Sequence, residues 1–260
     1  MSEQIIPQQN PVVVCHPLLY QYMSPKGVDA IVHKRILTSS PETMNDPFEW
    51  RPAVNEHVTK DDCKTAFPEA SPEALFHELA ISEARRYQDQ FPNESARHYR
   101  MICLSAEQRI ALLWSHYADK HRGFAVVVNT SELIKAGNAF AIDVSYDPRR
   151  PQIPHPWKDN RIKENLVETF HYKSKEWDYE KEIRLLVPLE HLEAVETNLG
   201  LFLPVPGAVF AKVIFGPLCS DRLKMLLRQT CSRDPELKHV IFQQACLSRD
   251  YYQITIDPTY

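Results

Sequence analysis

The chain has 260 residues, a formal net charge of −4 and a pI near 6.3, which allows one compact domain and disfavours nucleic-acid binding by counterion release. No run approaches the roughly 18 apolar residues of a membrane span, and the first residues lack the basic start of a signal peptide. We therefore expect a cytoplasmic protein with no membrane partner and no non-specific DNA binding.

Cysteine and glycine usage argues against several common kinds of site. The six cysteines contain no Cys-x-x-Cys pair, so we expect reduced thiols and no metal site. There are only six glycines, and neither G-x-G-x-x-G nor G-x-x-x-x-G-K occurs. This excludes the usual Rossmann and P-loop signatures for nucleotide binding.

The predicted elements begin after an extended N-terminal tail over residues 1–16. Leu18–Tyr22 is a strand candidate, and the Ser24-Pro25 pair predicts the start of a short helix that ends near His33. The polar, proline-containing stretch 39–49 predicts an irregular loop, a kind of segment that is often functional.

A helical cover is predicted over residues 53–100, followed by a strand over Met101–Ser105. Ser105 and Gln108 form an S-x-x-Q pattern, which predicts a capping box at the start of a helix that runs through Ala118. The helix has one apolar face that we expect to dock on a sheet, made of Ile110, Leu113, Trp114 and Tyr117.

The rest of the chain alternates irregularly between strands and helices, which predicts an α+β architecture in a single domain over 17–260. The predicted helices cover about 160–172 and 220–230. The predicted strands are 124–128, 139–146, 177–187, 211–216, 239–246 and 251–256.

The Glu180-Lys181-Glu182 triplet is the first candidate for chemistry. On a strand, Glu180 and Glu182 would share one face with Arg184, and paired carboxylates beside a guanidinium can divide acid and base roles. The alternative is a charged edge strand in solvent. The flanking Trp177 and Tyr179 favour partial burial.

Further candidates lie around two aromatic clusters. Tyr20 and Tyr22 point to the opposite side of a strand from Gln21 and could stack on a flat ligand such as nicotinamide or adenine, or simply pack in the core. His116 lies off the apolar helical face, where it could serve a site or a structural hydrogen bond. The helix dipole favours a cation such as Arg122 at the helix end.

Several motifs together resemble the bacterial domain-of-unknown-function family numbered 2971, in the right order from about residue 18 to residue 216. They are Leu19-Tyr20-Gln21-Tyr22, the loop Ser40 to Glu49, Cys103-Leu104-Ser105, Trp114 to Asp119 with His121 to Phe124, and Trp177 to Leu185.

The Leu-Tyr-x-Tyr strand, the helix that follows it, a strand that ends in Ser and the later Glu-x-Glu strand also resemble the ADP-ribosyltransferase superfamily. This resemblance implies a split mixed β-sheet core with a helical insertion after the second strand. It also implies that Glu182 holds the nicotinamide ribose and stabilises the oxocarbenium ion, while Glu180 orients or deprotonates the acceptor. Gln21 occupies the position where the superfamily usually has His or Arg.

The implied activity is NAD-dependent ADP-ribose transfer to an unknown acceptor, or NAD glycohydrolysis, in a toxin or phage-defence effector, with NAD as substrate and no metal. The implied binding residues are Tyr20, Gln21, Tyr22, Ser39, Ser40, Asn45, Asp46, His116, Tyr117, Arg122 and Arg184. Two alternatives stay open: a non-catalytic nucleotide- or protein-binding module, and a metal-independent nuclease that uses His116 and His121.

Overall fold

The computed structural model describes residues 16–55, 57, 59–66, 76–156, 158, 169–194 and 200–257. The predicted tail, apart from its last residue, and residues 160–168 of the helix predicted over about 160–172 lie outside the described residues. The chain divides into two compact units. Of the described residues, those within 40–99 and 144–178 form unit 1, and those within 16–39, 100–143 and 179–257 form unit 2.

The described strands and helices are numbered here in chain order. The strands are β1 (Leu18–Met23), β2 (Arg35–Leu37), β3 (Ala53–Val54), β4 (Tyr99–Ser105), β5 (Phe124–Asn129), β6 (Phe140–Asp143), β7 (Ser145–Tyr146), β8 (Gln152–Ile153), β9 (Tyr172–Lys173), β10 (Glu182–Pro188), β11 (Glu193–Ala194), β12 (Leu201–Pro204), β13 (Phe210–Phe215), β14 (Ile241–Leu247) and β15 (Ile254–Asp257). The helices are α1 (Val28–Val32), α2 (Lys60–Ala66), α3 (Phe76–Ala96), α4 (Ala111–His116), α5 (Thr130–Gly137) and α6 (Asp221–Arg233).

Unit 2 is built on an eight-stranded sheet with the order β15-β14-β13-β5-β1-β4-β10-β6. Strand β1 runs antiparallel to both neighbours, whereas β13 and β14 are parallel, so the sheet is mixed. A second sheet has the order β11-β12-β2. The predicted α+β class is therefore confirmed at the level of a large mixed sheet with several helices.

The large sheet has a hydrophobic core on each face. Strand β5 is buried along Phe124–Val128 because its side chains supply both cores in alternation. The first face carries the larger core, with Leu19 of β1, Leu185 of β10, and residues of α1, α5 and α6. The second face carries a smaller core around Trp114 of α4, against which Tyr20 and Tyr22 pack.

Unit 1 contains two short parallel strand pairs, β3 with β8 and β7 with β9, together with α2 and α3. Helix α3 buries Ala80, Ala84 and Phe91, and the carbonyl of Ala80 lies 2.9 Å from Nε2 of the buried His155. This contact satisfies a polar ring inside the unit.

Most strand predictions in unit 2 are confirmed, including β1, β5, β13 and β14, but two local predictions are wrong. The Ser105–Gln108 capping box does not form: α4 begins at Ala111, and its N-cap is Ile110. The predicted strand over 177–187 begins only at Glu182, because Lys175–Glu180 is a 3₁₀ helix.

The turn from α4 to β5 has an unusual backbone. Asp119, Lys120 and His121 have φ values of +47°, +52° and +69°, a region that residues with a Cβ rarely adopt. The next residue but one, Gly123, passes so close to β1 that a Cβ there would lie 2.0 Å from the carbonyl oxygen of Met23. The turn therefore depends on this glycine.

Among the described residues, no helix is both long and apolar enough to cross a membrane.

Candidate functional site

The charged residues of β10 lie on the second face of the large sheet. Alternate residues such as Leu185 belong to the first-face core, and successive strand side chains point to opposite faces. Glu182 and Arg184 therefore lie on the second face, as predicted for two residues that share one face of a strand.

The aromatic residues of β1 lie on this same face. Leu19 belongs to the first-face core, so Tyr20 and Tyr22 point to the second face, where they pack beside Trp114. Tyr20 is directly opposite Ser105 in the antiparallel register, which puts Ser105 on the second face too.

Strand β4 lies between β1 and β10, so these residues occupy three neighbouring strands. We call Tyr20, Tyr22, Ser105, Glu182 and Arg184 the second-face cluster. It combines two phenols, a hydroxyl, a carboxylate and a guanidinium on one surface, and it is the candidate site of unit 2.

Glu182 and Arg184 form a buried ion pair. Nε of Arg184 lies 3.1 Å from Oε1 of Glu182, and a second guanidinium nitrogen lies 3.2 Å from Oε2, so the contact is bidentate. The side chains are only 4% and 1% exposed. A buried pair of this kind fixes the orientation of both groups, because removal of one partner leaves the other charge uncompensated.

The prediction that Glu180 shares a strand face with Glu182 is wrong. Glu180 is the last residue of the 3₁₀ helix, and Lys181 has a φ of +47°, which breaks the strand alternation before β10 begins. The buried Glu180 carboxylate instead accepts a hydrogen bond of 2.6 Å from the Tyr117 hydroxyl.

Ser105 holds the backbone at Glu180. Its hydroxyl donates to the carbonyl of Glu180 at 2.6 Å and accepts from the backbone N–H of Glu107 at 3.0 Å. The N–H of Ala106 also donates to the carbonyl of Lys181 at 2.9 Å. The end of β4 therefore fixes the segment that leads into Glu182, a role of Ser105 that no sequence signal indicated.

Tyr22 is fixed by packing and by one hydrogen bond. Its ring meets Trp114 edge to face at a centroid distance of 5.0 Å, and its hydroxyl donates to the carbonyl of Glu107 at 2.7 Å. Burial raises the pKa of Tyr22 above its ordinary value, and nearby Tyr20 and Glu107 raise it further. Burial and then the charge of Glu107 also raise the pKa of Tyr20, whereas Arg109 opposes the shift. Both phenols therefore stay protonated donors over the physiological pH range.

His116 lies at the exposed end of α4, off the buried stripe, as predicted. Its ring centroid is 6.5 Å from that of Tyr179 and 6.2 Å from that of Tyr117. The hydroxyl of Tyr117 donates a hydrogen bond to Glu180. His116 therefore contacts the residues that precede β10 and does not lie on the sheet face itself.

His121 and Arg122 lie in the turn after α4. His121 is half-buried, and burial lowers the pKa of its imidazole below the ordinary value. Among the described residues its buried Nδ1 has no hydrogen-bond partner. Arg122 is exposed, and its backbone N–H donates to the carbonyl of Asp119 at 3.1 Å.

Gln21 points away from the second-face cluster. It follows Tyr20 on β1, so it lies on the first face, with Leu19. In the described part of the chain its buried Oε1 has no partner. The sheet therefore separates the Gln21 side chain from Glu182.

The predicted loop residues fall in different units. Ser39 belongs to unit 2, where it exchanges backbone hydrogen bonds of 2.7 and 3.1 Å with Met101 of β4. Ser40, Asn45 and Asp46 belong to unit 1. Oδ1 of Asp46 accepts from the backbone N–H of Phe48 at 2.9 Å, a contact by which Asp and Asn side chains commonly stabilise turns.

Among the described residues, no group of three or more His, Cys, Asp or Glu side chains is arranged to hold a metal ion.

The comparisons with known proteins give one match. A family model described as "Protein of unknown function (DUF2971)" matches residues 113–185, which contain α4 from Leu113 onward, β5, Glu180, Glu182 and Arg184. This match supports the resemblance to the family of unknown function. No curated protein and no solved structure matches the chain.

Proposed function

We propose that the chain is an ADP-ribosyltransferase-like enzyme that uses NAD as substrate and Glu182 as its essential carboxylate. The observation that carries the proposal is the second-face cluster, in which two tyrosines of β1, Ser105 of β4 and Glu182 of β10 share one face of three neighbouring strands. This is the juxtaposition that such an enzyme needs.

The chemistry assigned to Glu182 follows from its position and charge. In the reaction the bond between nicotinamide and the ribose C1′ breaks, and the bonding electron pair leaves with nicotinamide. The Glu182 carboxylate accepts a hydrogen bond from the ribose 2′-hydroxyl and stabilises the positive charge that develops on the ribose. An acceptor or water then attacks C1′ and loses its proton.

The contacts of Glu182 are compatible with this role. An ionised carboxylate offers about four acceptor positions, and the bidentate contact with Arg184 engages both carboxylate oxygens. Arg184 acts as a positioning residue, because its guanidinium fixes the plane of the carboxylate. Tyr20 and Tyr22 supply ring surface for the nicotinamide.

The test is release of nicotinamide from labelled NAD by the purified chain, with and without lysate as a source of acceptors. We expect release by the wild type and a loss of about 100-fold or more in Glu182→Gln, in line with removal of one transition-state contact. Glu190→Gln, an exposed carboxylate eight positions further along the chain, is the matched control and should retain activity. Wild-type protein without release, or Glu182→Gln with full activity, would contradict the proposal.

A non-catalytic binding module is the second candidate. It is favoured because each of the two carboxylates already has a partner within the protein. Glu182 is held by Arg184 and Glu180 by Tyr117, as expected where acidic groups serve structure. This candidate predicts that NAD raises the melting temperature without turnover. The melting curve and the release assay on one sample separate the two candidates.

A further inference from the structure

Unit 1 contains a pocket of about 310 Å³ that is independent of the second-face cluster. We call it the Trp50 pocket. Its size falls at the lower end of the range for small-molecule sites, roughly 300–1,000 Å³. The residues used below are all part of its lining: Phe48, Trp50, Arg51, Pro148, Arg150 and Tyr172.

Trp50 has two energetically unfavourable features: a strained backbone angle and a buried N–H group without an acceptor in the described part of the chain. Its φ is +62°, which is an outlier for a bulky residue, and its side chain is only 2% exposed. Among the described residues its buried indole N–H has no acceptor, although its ring packs edge to face on Phe170 at 4.6 Å. Backbone strain of this kind is frequent at ligand sites. The indole Nε1 is itself inaccessible to solvent, so it is not one of the ligand contacts proposed below.

The pocket lining carries acidic as well as basic residues. Asp46 accepts from the backbone N–H of Phe48, and Glu176 accepts from the Ser174 hydroxyl. Lys173 and Glu49 form a buried ion pair of 3.2 Å, and Arg149 pairs with Asp147 at 3.3 Å. Among the described residues, neither Arg51 nor Arg150 has a carboxylate within ion-pair distance, and both are exposed. Two guanidinium groups are therefore available to an anion.

An aromatic surface accompanies these cations. The ring of Phe48 is 54% exposed although it lines the pocket, and the guanidinium of Arg150 lies 4.7 Å from its centroid. Pro148 and Tyr172 add apolar and aromatic wall. A flat ring can stack in such a setting, with its anionic end beside the guanidinium groups.

We propose that the Trp50 pocket binds a small ligand that combines a planar ring with a phosphate or carboxylate. The anionic oxygens accept hydrogen bonds from Arg51 and Arg150, and the ring stacks at Phe48. This site rests on unit 1 alone and does not depend on the function proposed for unit 2.

The test is calorimetric titration with adenosine 5′-monophosphate and with 1-naphthoate. We expect at least one of them to bind with a Kd below about 1 mM, which identifies phosphate or carboxylate as the anionic group. Adenosine and inorganic phosphate test the two halves separately and should each bind more weakly. Failure of both ring-bearing anions, or phosphate that binds as tightly as the nucleotide, would overturn the proposal.

Variants locate the site. Arg51→Gln and Arg150→Gln should each weaken binding about tenfold or more without a change in melting temperature, because both side chains are exposed and charge-assisted hydrogen bonds are lost. Arg85→Gln, an exposed arginine of α3 outside the pocket, should bind like the wild type.

The Glu182→Gln variant separates this proposal from the one for unit 2. It should bind the ring-bearing anion unchanged, whether or not the wild type releases nicotinamide. Binding that survives in both arginine variants but is lost in Glu182→Gln protein shown by its melting curve to be folded would place the ligand at the second-face cluster instead, and would overturn the proposed pocket.

Discussion

The hydroxyl of Tyr117 donates a 2.6 Å hydrogen bond to Oε1 of Glu180, although the two residues are 63 positions apart. Ser105 donates to the carbonyl of the same glutamate at 2.6 Å. The end of α4 and the end of β4 thus hold one residue from two sides, immediately before β10 delivers Glu182.

Removal of the Tyr117 hydroxyl should destabilise unit 2. Tyr117→Phe takes a donor from the buried Glu180 carboxylate, so we expect a loss of about 1–3 kcal/mol in the free energy of unfolding, measured by urea denaturation. The matched control is Tyr251→Phe, since Tyr251 is 70% exposed, and it should change stability little. Equal stability of the two variants would contradict the structural role of this bond.

The Glu182–Arg184 pair should show strong coupling in a double-mutant cycle. Glu182→Gln and Arg184→Met should each cost about 3–5 kcal/mol, because each leaves a buried charge without its partner, and the double variant should cost less than the sum. The exposed Glu132–Lys135 pair on α5, at 2.9 Å, is the control and should couple by about 0–1 kcal/mol. Additive effects at the buried pair would argue against the bidentate contact.

The left-handed turn after α4 predicts opposite effects for two lysine-to-glycine changes. Lys120 is exposed with φ +52°, so Lys120→Gly should stabilise the fold by about 0.5–1 kcal/mol, because glycine adopts this backbone without steric cost. Lys64→Gly in α2 should instead destabilise it by about 1 kcal/mol, as glycine does within a helix. Thermal melting of both variants checks the sign, and a shared sign would contradict the left-handed geometry.

Gly123 should not tolerate a side chain. A Cβ there would lie 2.0 Å from a backbone oxygen of Met23, so Gly123→Ala should destabilise unit 2 by about 1–3 kcal/mol or more. Gly137→Ala is the control, because its Cβ would meet the ends of the Leu203 and Val187 side chains at 3.0 Å or more, and these can adjust. Urea denaturation should rank Gly123→Ala as the less stable variant, and the reverse order would contradict the close approach of β1.

Because His121 is half-buried, the free energy of unfolding should decrease as the pH falls below about 6.5. Burial lowers the pKa of His121 below 6.5, so the unfolded chain takes up a proton at a higher pH than the folded chain does. This contribution to stability is present above about pH 6.5 and is lost as the pH falls. His121→Asn removes the titration and keeps a residue type that tolerates a positive φ.

The measurement is the change in free energy of unfolding between pH 7.5 and pH 5.5. We expect a smaller decrease in His121→Asn than in the wild type. The matched control is His116→Asn at the exposed end of α4, and its decrease should follow the wild type. If both histidine variants follow the wild type, His121 is not the source of the acid dependence.

The local pattern of apolar residues was sufficient to predict much of the secondary structure of unit 2. The β-branched run Phe124–Val128 predicts β5 because such side chains suit a strand buried on both faces, and the structure buries all five. The helical spacing of apolar residues likewise predicts the face by which α4 packs, and the structure buries Leu113 and Trp114 of that face. Alternation along β1 also separates Gln21 from Tyr20 and Tyr22 without any knowledge of the fold.

The site itself required the tertiary structure. Two carboxylates two positions apart share a face only if the strand is continuous, and the positive φ of Lys181 places Glu180 in a 3₁₀ helix instead. The approach of Tyr20 to Ser105 depends on a register between strands about 80 residues apart in the chain, which no local pattern encodes. The sequence by itself determined where most of the longer strands of unit 2 lie and which side of β1 is apolar, because hydrophobic patterns repeat locally. Only the folded chain decided which polar residues meet, because their contacts depend on long-range pairing and on a single backbone angle.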